Sequence, residues 1–384
     1  QAQHPGTGAM IVRLDPGGGV VIASHKPREP FIPASTQKLI TSAGALATLG
    51  PDFRFPTRLY TSAGARLRGG TLKGPIYMQG GGDPVLATGA YARAELGGRA
   101  TLLARLARPL KKRGIRQVNG PIVADESIFD ARRTGRGWLP HYTLYSPPLT
   151  GLPTNQAHAG NGQGAYSPDP PRASGQRLRA AMKGVGVGHR GDVRTGRTPK
   201  QGRLLARALS PRLRIIARTM NHSSDNHIAE TLLKGVGAHS GGRGTSAGGA
   251  GTISSRLRSL GILAAGDRIV DGSGLSRENR VSAASLARLI ATADRDRAWG
   301  RALISSLPRG GEGTLVRRFR GSARKRVRAK TGYINGVSTL AGRVVSRRGD
   351  RYAFALMMND ADISGAQATQ NRIVALLAAG VADR

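Results

Sequence analysis

Cysteine is absent from this chain, and acidic residues are scarce: its 384 residues include 22 Asp and Glu against 59 Lys and Arg. Without cysteine there are no disulfides and no thiolate nucleophile or metal ligand, and reducing and oxidising compartments fit equally well. Aromatic residues make up only 4%, too few for a base-stacking platform. No zinc-finger spacing or RNP-like run occurs either. Basic stretches such as Arg105 to Arg116 and Val316 to Arg328 are therefore not read as a specific nucleic-acid surface. No apolar run approaches the roughly 20 residues that span a bilayer. The sequence opens at Gln1 without the charged and apolar segments of a leader, so the expectation is a cytoplasmic protein or one whose signal has been removed.

What the chain has is positive charge. A formal net charge of +37 calls for an anionic environment: nucleic acid, an acidic membrane surface or an acidic wall polymer. Hydrophobic residues at 39% are enough for real cores, and the length suits two domains, one inserted in the other.

The order of elements follows from periodicity and turn signals. Ala9 to Asp15 and Val20 to His25 read as strands joined by a Pro-Gly-Gly-Gly turn, followed by a helix that ends near Gly50-Pro51. From there to about residue 205 glycine and proline are frequent, and β-like runs (Pro75 to Gln79, Pro121 to Asp125) alternate with a helical stretch from Thr101 to Lys112. Helical periodicity returns near Leu204 and runs through Met220, then through His227 to Gly237. Further helices are expected at Ile253 to Leu260, Ala283 to Asp294 and Ala366 to Ala379. Val337 to Ser346 and Arg351 to Asn359 read as paired antiparallel strands, apolar on both faces. The pattern predicts an α/β core whose sheet combines both ends of the chain, the middle being an insertion.

Three short motifs carry the chemistry. In Pro33 to Leu46, PASTQKLITSAGAL, Ser35 and Lys38 lie three apart, which on a helix puts the amine beside the hydroxyl. In TMNHSSDNHIAETLL the run Ser224-Asp225-Asn226 precedes an apolar helix. In RAKTGYINGVSTLAG the run Lys330-Thr331-Gly332 leads into a strand. Each alone has a plainer explanation as a helix cap or a turn, and a second serine–lysine pair at Ser322 and Lys325 lacks an apolar helix around it. The order S-x-x-K, S-D-N, K-T-G resembles the serine penicillin-recognising enzymes. Within them the chain most resembles the D-alanyl-D-alanine carboxypeptidases and endopeptidases of the S13 peptidase family, the class C low-molecular-mass penicillin-binding proteins. GGGDP (Gly80 to Pro84), GPIVADESIFD (Gly120 to Asp130), DGSGLSRENRVS (Asp271 to Ser282) and LPRGGEGTL (Leu307 to Leu315) carry the same resemblance. Spacing sets it apart from class A β-lactamases, in which the second motif follows the nucleophile by about 60 residues; here Ser35 and Ser224 are 189 apart. Glu278, which comes after the second motif, is no counterpart of their deacylating glutamate.

The resemblance implies a penicillin-binding-protein/β-lactamase-like core, an antiparallel sheet flanked by helices plus a helical subdomain, built from residues 1–56 and 206–384. It implies an inserted, mostly β domain at 57–205, the family's further small domain being reduced to a loop near 156–170. It also implies a serine D,D-peptidase that cleaves terminal D-Ala-D-Ala bonds and D-Ala crosslinks of peptidoglycan stem peptides, is acylated by β-lactam antibiotics, needs no cofactor and works outside the cytoplasm after loss of a signal.

In chemical terms, Ser35 attacks the amide carbonyl and Lys38 takes its proton, provided burial and the charge of Lys330 lower the Lys38 pKa. Ser224 relays a proton to the departing amine and Asn226 holds the substrate amide. Lys330 and Thr331 receive the terminal carboxylate, Gly332 leaves room for substrate along the strand, and the backbone N–H groups of Ser35 and Tyr333 form the oxyanion hole. Tyr333 stands where the family commonly has serine or threonine, and no acidic residue occurs between Asp130 and Asp169 to meet a stem-peptide amine. GTSAG (Gly244 to Gly248), which matches a hydrolase elbow, is read as a loop. His222 and His227 are read as flanking a helix start, since no histidine spacing suits a metal. The positive charge suggests electrostatic association with anionic wall polymers or a membrane surface. The alternative from another class is a wall-binding protein of the same fold that lacks the chemistry.

Overall fold

A computed structural model describes residues 6–162 and 164–380. Its central sheet has five strands in the order Val327–Ile334, Val337–Val345, Arg351–Asn359, Thr7–Asp15, Gly18–His25, every neighbouring pair antiparallel. The first and last thirds of the chain therefore share one sheet, as the sequence suggested. Alternation in the central strand explains its position. Tyr352, Phe354 and Leu356 point into one core with Val374 and Leu377 of the closing helix Ile363–Ala379, while Ala353, Ala355 and Met357 pack against the other face with the helix Ala283–Arg295. A strand buried on both faces must be apolar at consecutive positions.

The helix Gln37–Leu49 lies at the heart of the helical core, buried from Gln37 through Leu46. At Gly44 a Cβ would come within 2.4 Å of Ile253 Cγ2, so the glycine permits close approach of the helix Ser246–Ser259. That second helix corrects the reading of GTSAG as a loop. Thr245 caps it through Gly248 N–H, and Ser246 to Gly251 are helical because glycines fit a crowded interface: a Cβ on Gly249 would meet the Leu233 carbonyl oxygen of the helix Asn226–His239. Packing here outweighs the low helix propensity of glycine.

A second correction concerns Leu204 to Leu209. Arg203–Leu209 is a strand, and the helix begins only at Leu213. The run RLLARAL fits either period, and antiparallel pairing with Pro56–Thr61 decides for β. Between residues 56 and 209, besides the two-stranded pair Leu86–Ala87 and Thr101–Leu102, two larger sheets form, ordered Val193–Thr195, Ile122–Asp125, Ile76–Gln79, Pro56–Thr61, Arg203–Leu209 and Gly188–Arg190, Gln117–Asn119, Thr71–Lys73, Arg66–Arg68. Helices Ala104–Lys112 and Pro170–Lys183 cover them around a separate core of Leu59, Ile76, Leu106, Ile122 and Leu178. Residues 85–102 are divided: Leu86 stays with that core, while Val85, Tyr91 and Leu96 pack into the helical one. At the neck of the insertion Phe55 N–H donates to Ser210 Oγ and Ser210 N–H to the Phe55 carbonyl, both at 2.9 Å. We propose that this reciprocal pair marks where the inserted segment joins the peptidase unit.

Candidate active site

Ser35 sits in a single 3-10 turn, Ala34–Thr36, which feeds directly into the helix Gln37–Leu49. Ala34 adopts φ +45°, a left-handed conformation that is costly for a residue with a Cβ and persists only where surroundings enforce it. The surroundings do so: Thr339 Oγ1 and Thr36 Oγ1 both donate to the Pro33 carbonyl, at 2.7 and 2.6 Å. One turn on, Lys38 Nζ donates to Ser35 Oγ at 3.0 Å, to Asn226 Oδ1 at 2.7 Å and to the Ser273 carbonyl at 2.8 Å. The first two motifs are thus joined through one amine.

Ser224 also has a left-handed backbone, φ +60°, and ends the helix Leu213–Ser223. The next residue, Asp225, caps the following helix through Ile228 N–H. This helix-to-helix corner is what turns Ser224 and Asn226 toward the cleft. Lys330 Nζ donates to Ser224 Oγ at 2.9 Å and to the Thr331 carbonyl at 2.8 Å, so the third motif is tied to the second. Two serine–lysine pairs, Ser35 with Lys38 and Ser224 with Lys330, face one space.

Gly332 pairs with Thr339 in the antiparallel register. A Cβ there would lie 2.1 Å from Thr339 Oγ1, 2.8 Å from the Pro33 carbonyl oxygen and 3.0 Å from Ser35 N. Glycine is required because this strand runs hard against the serine turn. Thr331 is half-buried and Tyr333, at 57% exposure, stands out from the strand. Ser35, Ser224, Asn226, His141, Tyr145 and Tyr333 are among the residues lining a cleft of about 220 Å³. All eight residues expected at the site from sequence lie at this junction of helix, corner and strand.

Electrostatics differ in one respect from the sequence argument. Burial pushes the Lys38 amine down to about 8, while Asp271, Glu230 and Asp225 pull it back up. The charge of Lys330 is not what lowers Lys38; Lys330 itself is held well below the ordinary lysine range, first by burial and then by Lys38. A buried amine near neutrality is what a general base requires.

A supporting layer escaped sequence reading. Glu230 Oε1 accepts from the N–H groups of Gly272 and Ser273 at 3.0 and 2.7 Å, which fixes the carbonyl that Lys38 uses. Burial, with Asp271 nearby, pushes the Glu230 carboxyl up to about 8. Asp271 accepts from Gly274 N, Ser276 N, Asn279 Nδ2 and Trp138 Nε1 at 2.7–2.9 Å. Asn226 Nδ2 donates to the Tyr145 carbonyl at 2.9 Å, so both ends of that amide are engaged. The available signal was the polar run DGSG, whose partners lie far away in sequence. Among the described residues no cluster of three or more His, Asp or Glu is arranged to hold a metal ion.

The fold is of the class found in the penicillin-binding proteins. The chain belongs to the D-Ala-D-Ala carboxypeptidase 3 (S13) family, whose profile matches residues 3–162 and 151–380. It is 28% identical over 449 residues to the D-alanyl-D-alanine carboxypeptidase of Actinomadura sp. (strain R39), covering 96% of this chain and 80% of that protein. It is 30% identical over 377 residues to carboxypeptidase DacB of Mycolicibacterium smegmatis, covering 94% and 79%. Among solved structures, penicillin-binding protein 4 of Haemophilus influenzae superposes with a TM-score of 0.78 at 22% identity, covering 97% of each chain. The protein is an enzyme of the carboxypeptidase type.

Proposed function

We propose that the protein hydrolyses the D-Ala-D-Ala bond of peptidoglycan stem peptides, and D-Ala crosslinks, through an acyl-enzyme on Ser35. The single observation that carries this reading is the 3.0 Å hydrogen bond from the buried Lys38 amine to Ser35 Oγ. In the reaction, neutral Lys38 takes the Ser35 proton as Oγ attacks the carbonyl carbon, and the oxyanion is met by N–H groups of Ser35 and Tyr333. Ser224, hydrogen-bonded to Lys330, relays the proton held by Lys38 to the amine as the C–N bond breaks, which leaves Ser224 intact and Lys38 neutral again. Asn226 keeps Lys38 aligned through Oδ1 and has its second Nδ2 hydrogen left for the substrate. The Thr331 hydroxyl and the Lys330 amine receive the terminal carboxylate, whose charge favours the protonated amine, and Gly332 and Tyr333 belong to the strand along which the peptide lies. Water then hydrolyses the ester.

β-Lactams would acylate the same serine, because their strained amide presents a carbonyl and a carboxylate in the same relation. The work site is extracytoplasmic, where this substrate resides; no described helix is long and apolar enough to cross a membrane. With a net charge of +37 the enzyme associates electrostatically with anionic wall polymers or a membrane surface, an attraction that salt weakens.

The test is intact-protein mass after incubation with benzylpenicillin, together with D-alanine release from a peptide ending in D-Ala-D-Ala. One adduct and D-alanine release in the wild type, both lost in Ser35→Ala, are expected. A folded wild type that gives neither adduct nor D-alanine overturns the reading in favour of a wall-binding protein without the chemistry.

A further inference from the structure

A cavity of about 940 Å³ shares no lining residue with the catalytic cleft. It is a groove where the helix Ala283–Arg295 ends, bounded by the helix Gly300–Ser306 and by the ends of the central strands. Seven arginines and three aspartates line it.

The three carboxylates are already engaged. Asp294 takes Arg343 and Arg351, each at 2.6 Å. Asp296 caps the helix Gly300–Ser306 through Trp299 N–H and Gly300 N–H, and Asp15 takes Arg13 from its own strand. Arg328 donates to the Leu307 carbonyl. The guanidinium groups of Arg295, Arg297, Arg301 and Arg309 are exposed, and none makes a hydrogen bond or ion pair to a described residue.

Like charges are also set face to face. Arg328 is directly opposite Arg343 in the antiparallel register, and Arg309 bridges to Arg328 from the other side. Cross-strand like charges are unfavourable, and Arg309, Arg218 and Arg343 all push the Arg328 pKa down, after burial. Such an arrangement is relieved when an anion lies between the groups. Arginine forks match the paired oxygens of phosphate. Four open forks in one groove suit a chain of anionic groups better than a single ion.

We propose that this groove binds a flexible polyanion through its phosphodiester groups and thereby docks the enzyme on the wall material it processes. This rests on the electrostatic association proposed above and assigns it to one surface in place of the whole chain. The cleft and the groove share no lining residue, so docking leaves the catalytic cleft open.

The experiment measures binding of the full chain to poly(glycerol phosphate) by fluorescence anisotropy across a salt series, with inorganic phosphate and duplex DNA as comparison ligands. The groove variant is Arg301→Gln/Arg309→Gln. The charge-matched control is Arg105→Gln/Arg108→Gln, exposed positions on the helix Ala104–Lys112. The expected result is binding that weakens with salt and falls about tenfold or more in the groove variant, with the log–log salt slope reduced by roughly 2. The control stays within about twofold of wild type, and D-alanine release is the same in all three. Equal loss in both variants means diffuse charge attraction and overturns the groove while keeping the association. No binding by the wild type overturns both. Tighter binding to DNA than to the glycerol polymer, or displacement of the polymer by millimolar inorganic phosphate, overturns the assigned partner.

Discussion

Trp138 Nε1 donates to Asp271 Oδ2 at 2.9 Å, which ties the loop around Trp138 to the carboxylate that acts most strongly on Lys38. Asp271 raises the Lys38 pKa against burial, and the amine must be neutral to accept the Ser35 proton. In the wild type the acylation rate therefore rises with pH through about 8. In Asp271→Asn the opposing charge is gone and the midpoint moves to lower pH. Second-order acylation constants for a chromogenic β-lactam, measured from pH 6 to 10, check this. An unchanged midpoint in a folded variant removes Asp271 from the tuning of the base.

Lys38→Gln keeps a hydrogen-bond donor at the centre of the site but provides no base. Acylation is expected to fall by about 10²–10⁴-fold at every pH, while Asn226 Oδ1 and the Ser273 carbonyl retain a possible donor. Stopped-flow acylation, paired with a thermal melt, separates the loss of chemistry from any loss of folding.

Gly332→Ala tests the crowding at the serine turn. The added methyl meets Thr339 Oγ1 and two backbone atoms, none of which lies at the free end of a flexible side chain. Overpacking of this kind costs about 1–3 kcal/mol, and displacing the strand by about 1 Å from Ser35 lowers acylation by roughly 100-fold. Calorimetry and acylation rates report the two effects. Wild-type behaviour in both would show that the strand yields easily.

Glu230 and His227 impose opposite pH dependences on stability. The Glu230 carboxyl moves from 4.5 to about 8 on folding, so across that window the folded protein holds a proton the unfolded chain has lost. Stability falls as pH rises through it. His227, buried beside Asp225, drops from 6.5 to about 4, so stability falls as pH decreases from 6.5 toward 4. Glu230→Gln is expected to remove the alkaline decline and leave the acid one. Melting temperatures from pH 4 to 9 at fixed salt decide it; a persistent alkaline decline of the same size assigns that loss to another group.

Much of this was legible before any coordinates. The strand Arg351–Asn359 was read to the residue, because nine residues with apolar character on both faces, bounded by RRGD and by Asp360, allow little else. Ser35, Lys38, Ser224, Asn226 and the Lys330 to Tyr333 run were legible because each motif is local, with its members one helical turn or one strand step apart. Arg203–Leu209 was not, since its period is ambiguous and the deciding partner, Pro56–Thr61, lies far upstream. The helix at Ser246 was hidden by glycines that serve packing instead of propensity. Glu230 and Asp271 act on Lys38 from elements distant in sequence, and no local pattern distinguishes a buried glutamate on an apolar helix from a solvated one.

The central sheet joins Thr7–Asp15 to Arg351–Asn359, and the serine turn is clasped from the far end of the chain: Thr339 Oγ1 to the Pro33 carbonyl spans 306 positions, and Ile32 N–H to Asn359 Oδ1 spans 327. In chain order Ser35 precedes both groups that clasp its turn. Until those strands are in place, Ser35 belongs to a turn that no sheet holds. Contacts of such long sequence separation also slow refolding. A chain cut before Thr339 lacks both clasping side chains, Thr339 and Asn359, and leaves the serine turn unheld.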